Sequence, residues 1–240
     1  MVTSRSPVAS SPRAGLPSVL FDLDGTLVDS NYYHVQAWAA ALQQSGIVIP
    51  HWKIHRRIGM SGKSFVQELS RELRISSRRM DLARLERNHD AKFRAAMTGI
   101  EALPGANQLL AHLAQQRVPM AIATTGNKDQ TSRLLRKLRV PRGMAVVTGD
   151  DVEKAKPSPD IFITAARRLS VPLANCIVVG DSVWDLLAAG REKALGVGLL
   201  SGGYGLEELQ GAGAFRVFAD PADLLLHIEQ LGLPGRKLPK

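Results

Sequence analysis

Apolar residues follow two patterns along this chain, short unbroken runs and stripes with helical spacing. Unbroken runs are typical of parallel strands that are covered on both faces. The first run ends in a charged loop, and the runs lie at residues 19–24, 118–123, 145–147, 177–179 and 197–200. Helical stripes between the later runs predict helices over residues 106–116, 128–138, 160–169 and 182–191. This alternation predicts an α/β fold with a doubly wound parallel sheet.

The stretch between the first two runs has the helical period throughout. Its three stripes are Tyr33, Ala37, Ala40 and Ala41; Phe65, Leu69 and Leu73; and Met80, Leu82, Leu85 and Phe93. The first helix should end at Gly46, and the third should begin near Ser76. The predicted core consists of residues 18–31 and 104–234. The predicted all-helical insertion spans residues 32–103, and the predicted tails are residues 1–17 and 235–240.

Composition narrows the class of protein. The hydrophobic share of 45% and the charged share of 22% are ordinary for a globular protein. The single cysteine, Cys176, excludes an internal disulfide and a multi-cysteine zinc site, and it favours a reducing compartment, the cytoplasm. No apolar run approaches the roughly 18 residues that a membrane span needs. The acid-free first 17 residues predict a disordered tail; a targeting segment is the alternative, although three prolines interrupt any amphipathic helix.

The net charge of +9 is concentrated in one stretch, since residues 51–95 hold 12 Lys or Arg against 5 Asp or Glu. A basic face can bind nucleic acid or steer a small anionic substrate. Here the basic residues alternate with apolar ones at helical spacing. A solvated helix face is therefore the simplest interpretation, substrate steering is the alternative, and nucleic-acid binding is disfavoured.

Polar residues follow several of the predicted strands at the point where each strand ends. In an open α/β sheet, ligands bind outside the carboxyl ends of the strands. We therefore expect one cluster, formed by Asp22, Asp24, Gly25 and Thr26; by Thr124, Thr125, Gly126 and Asn127; by Gly180, Asp181, Ser182 and Asp185; and by Lys156 in a nearby loop. Several carboxylates at one point need a cation, and oxygen ligands without thiolates suit Mg²⁺.

The same cluster has the groups that phosphoryl transfer needs. Thr124 offers a hydroxyl, Lys156 a positive charge, and the backbone N–H groups around Gly126 a cradle for phosphate. An Asp carboxylate can attack phosphorus and form an aspartyl-phosphate. A second carboxyl two residues further on can protonate the leaving oxygen and later deprotonate water.

These residues resemble the motifs of one family. Residues 22–26, Asp-Leu-Asp-Gly-Thr, are similar to the first motif of the haloacid dehalogenase-like hydrolase superfamily. Thr124 resembles the second motif, Lys156 in Lys-Pro-Ser-Pro-Asp the third, and Gly-Asp-Ser at 180–182 with Asp185 the fourth. The motifs occur in order, and the resemblance covers about residues 18–225. It implies a Rossmann-like core with a helical cap, and a magnesium-dependent enzyme.

The resemblance also implies roles. Asp22 would be the nucleophile, and Asp24 the general acid/base, with its backbone carbonyl on the metal. Thr124 and Lys156 would hold the phosphoryl group, while Asp185 would support the metal shell or orient Lys156. The implied metal ligands are Asp22, Asp24, Asp181 and Asp185. The expected substrate-binding residues are Thr125, Gly126, His34, Ser61 and Lys63.

Differences between this sequence and particular groups of the family narrow the type of reaction that we expect. Family dehalogenases lack the second Asp, and phosphonate-cleaving relatives replace it, so Asp24 favours phosphate esters. Residues 29–38 resemble β-phosphoglucomutases and related sugar phosphatases, in which a His at the place of His34 approaches the acid/base Asp. Mutases usually place an Arg where Gly62 stands, and a Glu where Gly180 stands. Both differences favour a phosphatase.

The expected function is Mg²⁺-dependent hydrolysis of a small phosphate monoester, such as a sugar phosphate or phosphoglycolate, through an aspartyl-phosphate. A hexose-phosphate mutase is the alternative enzyme, and it would depend on a bisphosphate activator. A non-catalytic binding protein on the same scaffold is a second alternative, which the intact acids disfavour. The expected partner is a small phosphorylated metabolite, without membrane or nucleic acid, and both a monomer and a homodimer stay open.

Overall fold

A six-stranded parallel sheet forms the centre of the protein, and its strand order is β3-β2-β1-β4-β5-β6. The computed structural model describes residues 15–75 and 80–235. The strands are β1 (Ser18–Phe21), β2 (Met120–Ala123), β3 (Ala145–Val147), β4 (Cys176–Gly180), β5 (Leu195–Leu199) and β6 (Arg216–Phe218). The predicted doubly wound α/β fold is confirmed. The order reverses at β1, which pairs with β2 on one side and with β4 on the other.

Helices cover the sheet and also form the insertion. Between β1 and β2 lie α1 (Asn31–Gln43), α2 (His51–His55), α3 (Gly62–Leu73), α4 (Leu82–Ala96) and α5 (Ala106–Gln115). After β2 follow α6 (Lys128–Leu134), α7 (Asp160–Arg168), α8 (Val183–Arg191), α9 (Leu206–Gly211) and α10 (Pro221–Leu226). Within the part of the chain that the structure describes, every helix is too short or too polar to cross a membrane.

Alternate side chains of β1 enter two separate hydrophobic cores, which explains why its apolar run is unbroken. Leu20 packs on one face of the sheet in the core that contains Phe162 of α7. Phe21 packs on the other face, in the core that contains Leu109 of α5 and Leu224 of α10. Burial on both faces holds the end of β1 rigidly, and the residues that follow this strand are therefore well positioned.

The inserted helices have a hydrophobic core of their own. Trp38 of α1, Ile54 of α2, Phe65 of α3 and Leu85 of α4 are buried in one cluster. Helices α1 and α4 lie against each other. The predicted all-helical insertion is thus present, while the exact domain limits at residues 32 and 103 stay a prediction.

The two connections between the insertion and the core lie side by side. Val28 forms a bridge with Ala102. The Asp29 amide donates to the Glu101 carbonyl at 2.9 Å, and the Leu103 amide donates to the Leu27 carbonyl at 3.0 Å. The chain therefore leaves the core and returns to it at one place, directly after the loop that contains Asp22 and Asp24.

Several element limits differ from those that the pattern predicts. Helix α4 begins at Leu82, where the Asp81 carboxylate accepts a hydrogen bond from the Arg84 amide; the predicted start near Ser76 lies outside the described residues. Helix α6 ends at Leu134 and continues as a 3-10 turn to Lys137. Strand β6 and helices α2, α9 and α10 were not predicted, because three to six residues are too short to show a period. The predicted tail lies largely outside the described residues.

Candidate active site

Three polar residues follow adjacent strands at the switch point of the sheet. Asp22 follows β1, and its amide continues the ladder by donating to the Val179 carbonyl at 2.9 Å. Thr124 follows β2, and its amide donates to the Val147 carbonyl at 3.0 Å. Asp181 follows β4 directly. Because the strands are parallel and in register, their carboxyl ends bring these side chains to one edge, as the sequence predicts.

A compact cluster of carboxylates lies at this edge. Oxygen atoms of Asp22, Asp181 and Asp185 lie within 4.8 Å of one another, and all three side chains are buried. Burial, which is opposed by Lys156 and reinforced by the neighbouring carboxylates, raises the pKa of Asp22 well above its usual value. Burial and the charge of Asp185 raise the pKa of Asp181 to about 7. The hard oxygen donors of this cluster fit a divalent cation such as Mg²⁺.

Lys156 is fully buried between two of these carboxylates. Its ammonium group pairs with Asp22 Oδ1, and it lies 2.7 Å from Asp185 Oδ1. Burial alone would lower the pKa of Lys156, but the charges of Asp185 and Asp22 outweigh burial and raise that pKa above its usual value. Lys156 is thus a permanent cation that contacts the predicted nucleophile. Lys154, two residues earlier in the same loop, is exposed.

Asp185 has two contacts that explain its position. Its Oδ2 accepts hydrogen bonds from the Ser182 amide at 3.2 Å and from the Ser182 hydroxyl at 2.6 Å, which caps the start of α8. Its Oδ1 faces Lys156. One residue is therefore placed both to orient Lys156 and to support a metal, and the sequence leaves the same two roles open.

Asp181 is held by residues that the sequence did not single out for this purpose. The Thr26 hydroxyl donates to Oδ1 at 2.9 Å, and the Asn31 amide group donates to Oδ2 at 2.8 Å. Gly25 has a φ of 74°. A Cβ atom added there would lie 2.5 Å from Asp181 Oδ2, and one added at Gly202 would lie 1.8 Å from the same oxygen. Glycine at both positions leaves room for the carboxylate.

We expect Gly202→Ala to lower the free energy of unfolding by about 1–3 kcal/mol, because the new methyl group must displace the Asp181 carboxylate. Chemical denaturation would measure this. Gly190→Ala in α8 is the matched control, since no atom lies within 4 Å of its added Cβ. The control should be neutral, or stabilising by up to about 1 kcal/mol. Equal effects of the two substitutions would contradict the steric explanation.

Asp24 contacts three side chains. The Ser30 hydroxyl donates to Oδ1 at 2.5 Å, His34 Nε2 lies 3.2 Å from the same oxygen, and the Thr124 hydroxyl donates to Oδ2 at 3.3 Å. Burial acts to raise the pKa of Asp24, but His34 and Ser30 outweigh it, and the pKa lies below its usual value. The predicted approach of His34 to Asp24 is present in the structure.

A cavity of about 420 Å³ separates the carboxylate edge from the cap. The five residues predicted to bind substrate all line it: Thr125, Gly126, His34, Ser61 and Lys63. Ser61 also caps α3, because its hydroxyl accepts a hydrogen bond from the Ser64 amide at 3.2 Å. The Gly126 amide donates to the Thr124 hydroxyl at 3.1 Å. Asp22 and Asp24 form part of the same lining, so the predicted nucleophile and the cap residues face one space.

Other lining residues were missed by sequence reasoning, notably Glu86, His89, Asp90 and Gln130. Glu86, His89 and Asp90 belong to α4, and Gln130 belongs to α6. The spacing of Glu86 and Asp90 by four residues places them on one face of α4, which is the available signal. In a basic helix, this signal looks the same as an ordinary solvated face.

Known proteins resemble the chain in both sequence and structure. The sequence model of the family described as "haloacid dehalogenase-like hydrolase" matches residues 17–191. A crystal structure of a hydrolase from Pseudomonas syringae is 44% identical, with a TM-score of 0.85, and the match covers 90% of this chain and 99% of that one.

Characterised relatives include phosphatases and a mutase. Validoxylamine A 7'-phosphate phosphatase of Streptomyces hygroscopicus is 32% identical over 75% of this chain and 84% of its own. The β-phosphoglucomutase of Bacillus subtilis is 27% identical over 89% of this chain and 93% of its own. The bifunctional riboflavin kinase/FMN phosphatase of Arabidopsis thaliana is 30% identical over 76% of this chain, which spans about half of that protein's length.

Proposed function

The chain belongs to the haloacid dehalogenase-like hydrolase family, and from this premise we propose that it is a Mg²⁺-dependent phosphatase for a small phosphate monoester. One observation carries the proposal. The buried Asp22 carboxylate contacts Lys156 and lies beside the Asp181 and Asp185 carboxylates, at the switch point of a parallel sheet. This arrangement supplies a nucleophile, a fixed cation and a metal-binding cluster at one point, which are the requirements of phosphoryl transfer.

In the first step, an oxygen of Asp22 attacks phosphorus and the bond from phosphorus to the leaving oxygen breaks, which leaves an aspartyl-phosphate. Lys156 offsets negative charge beside the attacking carboxylate. Asp24 gives a proton to the leaving oxygen, so that a neutral alcohol departs. The pKa of Asp24 lies below its usual value, so this proton belongs to the pair of Asp24 and His34 rather than to the carboxyl alone; His34 Nε2 lies 3.2 Å from Asp24 Oδ1.

In the second step, Asp24 acts as a base. It takes a proton from a water molecule, whose oxygen attacks the phosphorus of the aspartyl-phosphate. The bond between phosphorus and the Asp22 oxygen breaks, and inorganic phosphate leaves. Both carboxyl groups thereby return to their starting states, and the net reaction is hydrolysis of the ester.

The residues present fit a bound Mg²⁺. Asp22, Asp181 and Asp185 would hold it through hard oxygen atoms. The family resemblance adds the backbone carbonyl of Asp24 to these ligands. Burial and mutual repulsion raise the pKa values of Asp22 and Asp181, so a bound cation would stabilise both carboxylates. When bound, the ion supplies charge that offsets the carboxylates and the phosphoryl oxygens.

Sugar phosphates and related polyol phosphates are the substrate class that we propose. The cavity of about 420 Å³ has room for a small leaving group and contains several polar side chains. Glu86 and Asp90 add negative charge to its lining, and Lys63 adds positive charge. Arg57 also lines the cavity, but its guanidinium already pairs with Glu72 at 2.5 Å. A hydroxylated leaving group suits such a lining better than an apolar one.

The mutase alternative meets a steric obstacle in this chain. Mutases tend to carry a Glu where Gly180 stands. A Cβ atom added at Gly180 would lie 2.3 Å from Asp185 Cγ, so a longer side chain there is incompatible with the present position of Asp185. Gly180 and Asp185 therefore belong together, and this pair favours hydrolysis.

A panel of phosphorylated metabolites, assayed with and without Mg²⁺, tests the proposal. We expect phosphate release from at least one sugar phosphate, with kcat/KM reduced at least about tenfold for phosphoglycolate because Glu86 and Asp90 repel a second anion. The panel includes glucose 1-phosphate with and without glucose 1,6-bisphosphate. Isomerisation that depends on the bisphosphate, without phosphate release, would contradict the phosphatase assignment.

A further inference from the structure

A continuous row of four polar side chains extends from the general acid/base into the cap. Asp24 Oδ1 lies 3.2 Å from His34 Nε2, and His34 Nδ1 lies 3.0 Å from His89 Nε2. His89 Nδ1 then lies 3.0 Å from Asp90 Oδ1. The mechanism above uses the first of these contacts, and the last two have no part in it.

The far end of the row is fixed to the core. The side-chain amide of Gln130 donates to Asp90 Oδ1 at 2.8 Å, and that of Asn127 donates to Asp90 Oδ2 at 3.3 Å. Both donors belong to the start of α6, which directly follows the predicted phosphate loop. Asp90 comes from α4 of the cap, so its carboxylate joins the cap to the core.

The donors around Asp90 set the direction of two hydrogen bonds in the row, from His89 to Asp90 and from His34 to His89. A carboxylate that already accepts from two amides also accepts from His89, which must then carry its proton on Nδ1. The burial of His89 lowers its pKa to about 4, so the ring is neutral and its Nε2 is an acceptor. The partner that donates to this Nε2 is His34 Nδ1–H.

Aromatic neighbours keep both imidazole rings in this alignment. The His34 ring stacks on Phe93, with ring centroids 3.7 Å apart and an interplanar angle of 13°. The His89 ring stacks on Trp38, with ring centroids 4.3 Å apart and an angle of 22°. Neither ring can turn without losing a stacking contact and a hydrogen bond, so the row is rigid.

We propose that His89 and Asp90 are positioning residues that hold His34 against Asp24 and make this contact depend on the seating of the cap on α6. The inference rests on the proposed function, since it assigns a purpose to the general acid/base. When the cap is seated, Asp90 meets Gln130 and Asn127, His89 is oriented, and His34 faces Asp24. When the cap is lifted, Asp90 loses its contacts with α6 and His34 is no longer held against Asp24. The leaving group is then not protonated while the site is open and filled with water.

The test compares two leaving groups. Glucose 6-phosphate releases a poor leaving group that needs a proton, whereas p-nitrophenyl phosphate releases one that departs without it. His89→Phe removes both hydrogen bonds of the imidazole, and Asp90→Asn replaces one carboxylate oxygen by an NH₂ group that cannot accept; both changes approximately keep the shape of the side chain. We expect kcat for glucose 6-phosphate to fall about 10–100-fold in both variants, with kcat for p-nitrophenyl phosphate changed less than about threefold.

Asp81→Ala provides the structural control, because Asp81 caps α4 without touching the row. This change should lower the melting temperature and leave the ratio of the two kcat values as in the wild type. An equal fall on both substrates in Asp90→Asn, or no fall on either, would overturn the proposal.

Nitrogen-15 NMR of the histidine side chains gives a readout that needs no turnover. In the wild-type protein we expect His89 to be neutral with its proton on Nδ1, and in Asp90→Asn to exchange between both tautomers; His89→Phe identifies the signal. A wild-type proton on His89 Nε2 would overturn the proposal. If the wild-type protein does not use glucose 6-phosphate, the sugar phosphate that the panel identifies takes its place. Failure on every member of the panel would contradict the proposed function instead, while the spectrum would still decide the direction of the row.

Discussion

Replacement of Asp22 by Asn should lower kcat by at least about 10⁴-fold, because an amide cannot attack phosphorus as a carboxylate does. The fold should remain intact. Asn has the same shape, and the substitution removes one of several repelling buried carboxylates, while Lys156 keeps its contact with Asp185. We therefore expect a melting temperature equal to or above that of the wild type, alongside the loss of turnover.

Asp29→Asn is the matched control for this substitution, since Asp29 is an exposed acid in the same loop. It should retain wild-type kcat. Rapid quenching followed by mass spectrometry should find phosphate on Asp22 in the wild-type protein. Hydrolysis at the wild-type rate by purified Asp22→Asn would show that another group is the nucleophile.

Chelation of divalent cations should reduce activity to background, and added Mg²⁺ should restore it. The physical reason is the cluster of Asp22, Asp181 and Asp185, whose buried oxygens repel one another without a cation. Binding to the folded state also stabilises it, by about 2.7 kcal/mol when free Mg²⁺ is 100 times its Kd. A thermal melt with increasing Mg²⁺ measures this stabilisation without any substrate.

Asp181→Asn distinguishes stabilisation by bound Mg²⁺ from the general effect of salt on the melting temperature. This variant keeps the hydrogen bond from Thr26 and loses one charged ligand, so its melting temperature should respond much less to Mg²⁺ than that of the wild type. Potassium chloride at equal ionic strength controls for screening. Full activity in exhaustively chelated enzyme would remove the metal from the proposed mechanism.

Most of the core site could be predicted because each motif is local. Asp22, Thr124 and Asp181 directly follow strands, and the parallel topology alone brings strand ends together. The sequence could not show that Asn31 binds Asp181, since a polar residue at the start of a helix has many possible partners. The catalytic roles, the cytoplasmic location and the oligomeric state stay predictions.

The row in the cap was harder to predict. His89 lies four residues after Leu85 and four before Phe93, on the buried stripe of α4. A histidine on such a stripe looks like an ordinary core residue, and no other histidine lies at a spacing that would mark His89 as part of a site. Its meaning comes from α1, which approaches it when the cap folds, and from α6, which approaches it only after the cap has folded onto the core.

The paired connections at Val28 and Ala102 have a consequence for the history and the engineering of this fold. Because the polypeptide exits and re-enters the core at adjacent backbone positions, the length of everything between them is not constrained by the sheet. The inserted segment can therefore become longer or shorter, or be replaced by another, while the strands keep their register. Exchanging the cap is thus a route to substrates with other leaving groups that leaves the residues at the strand ends unchanged.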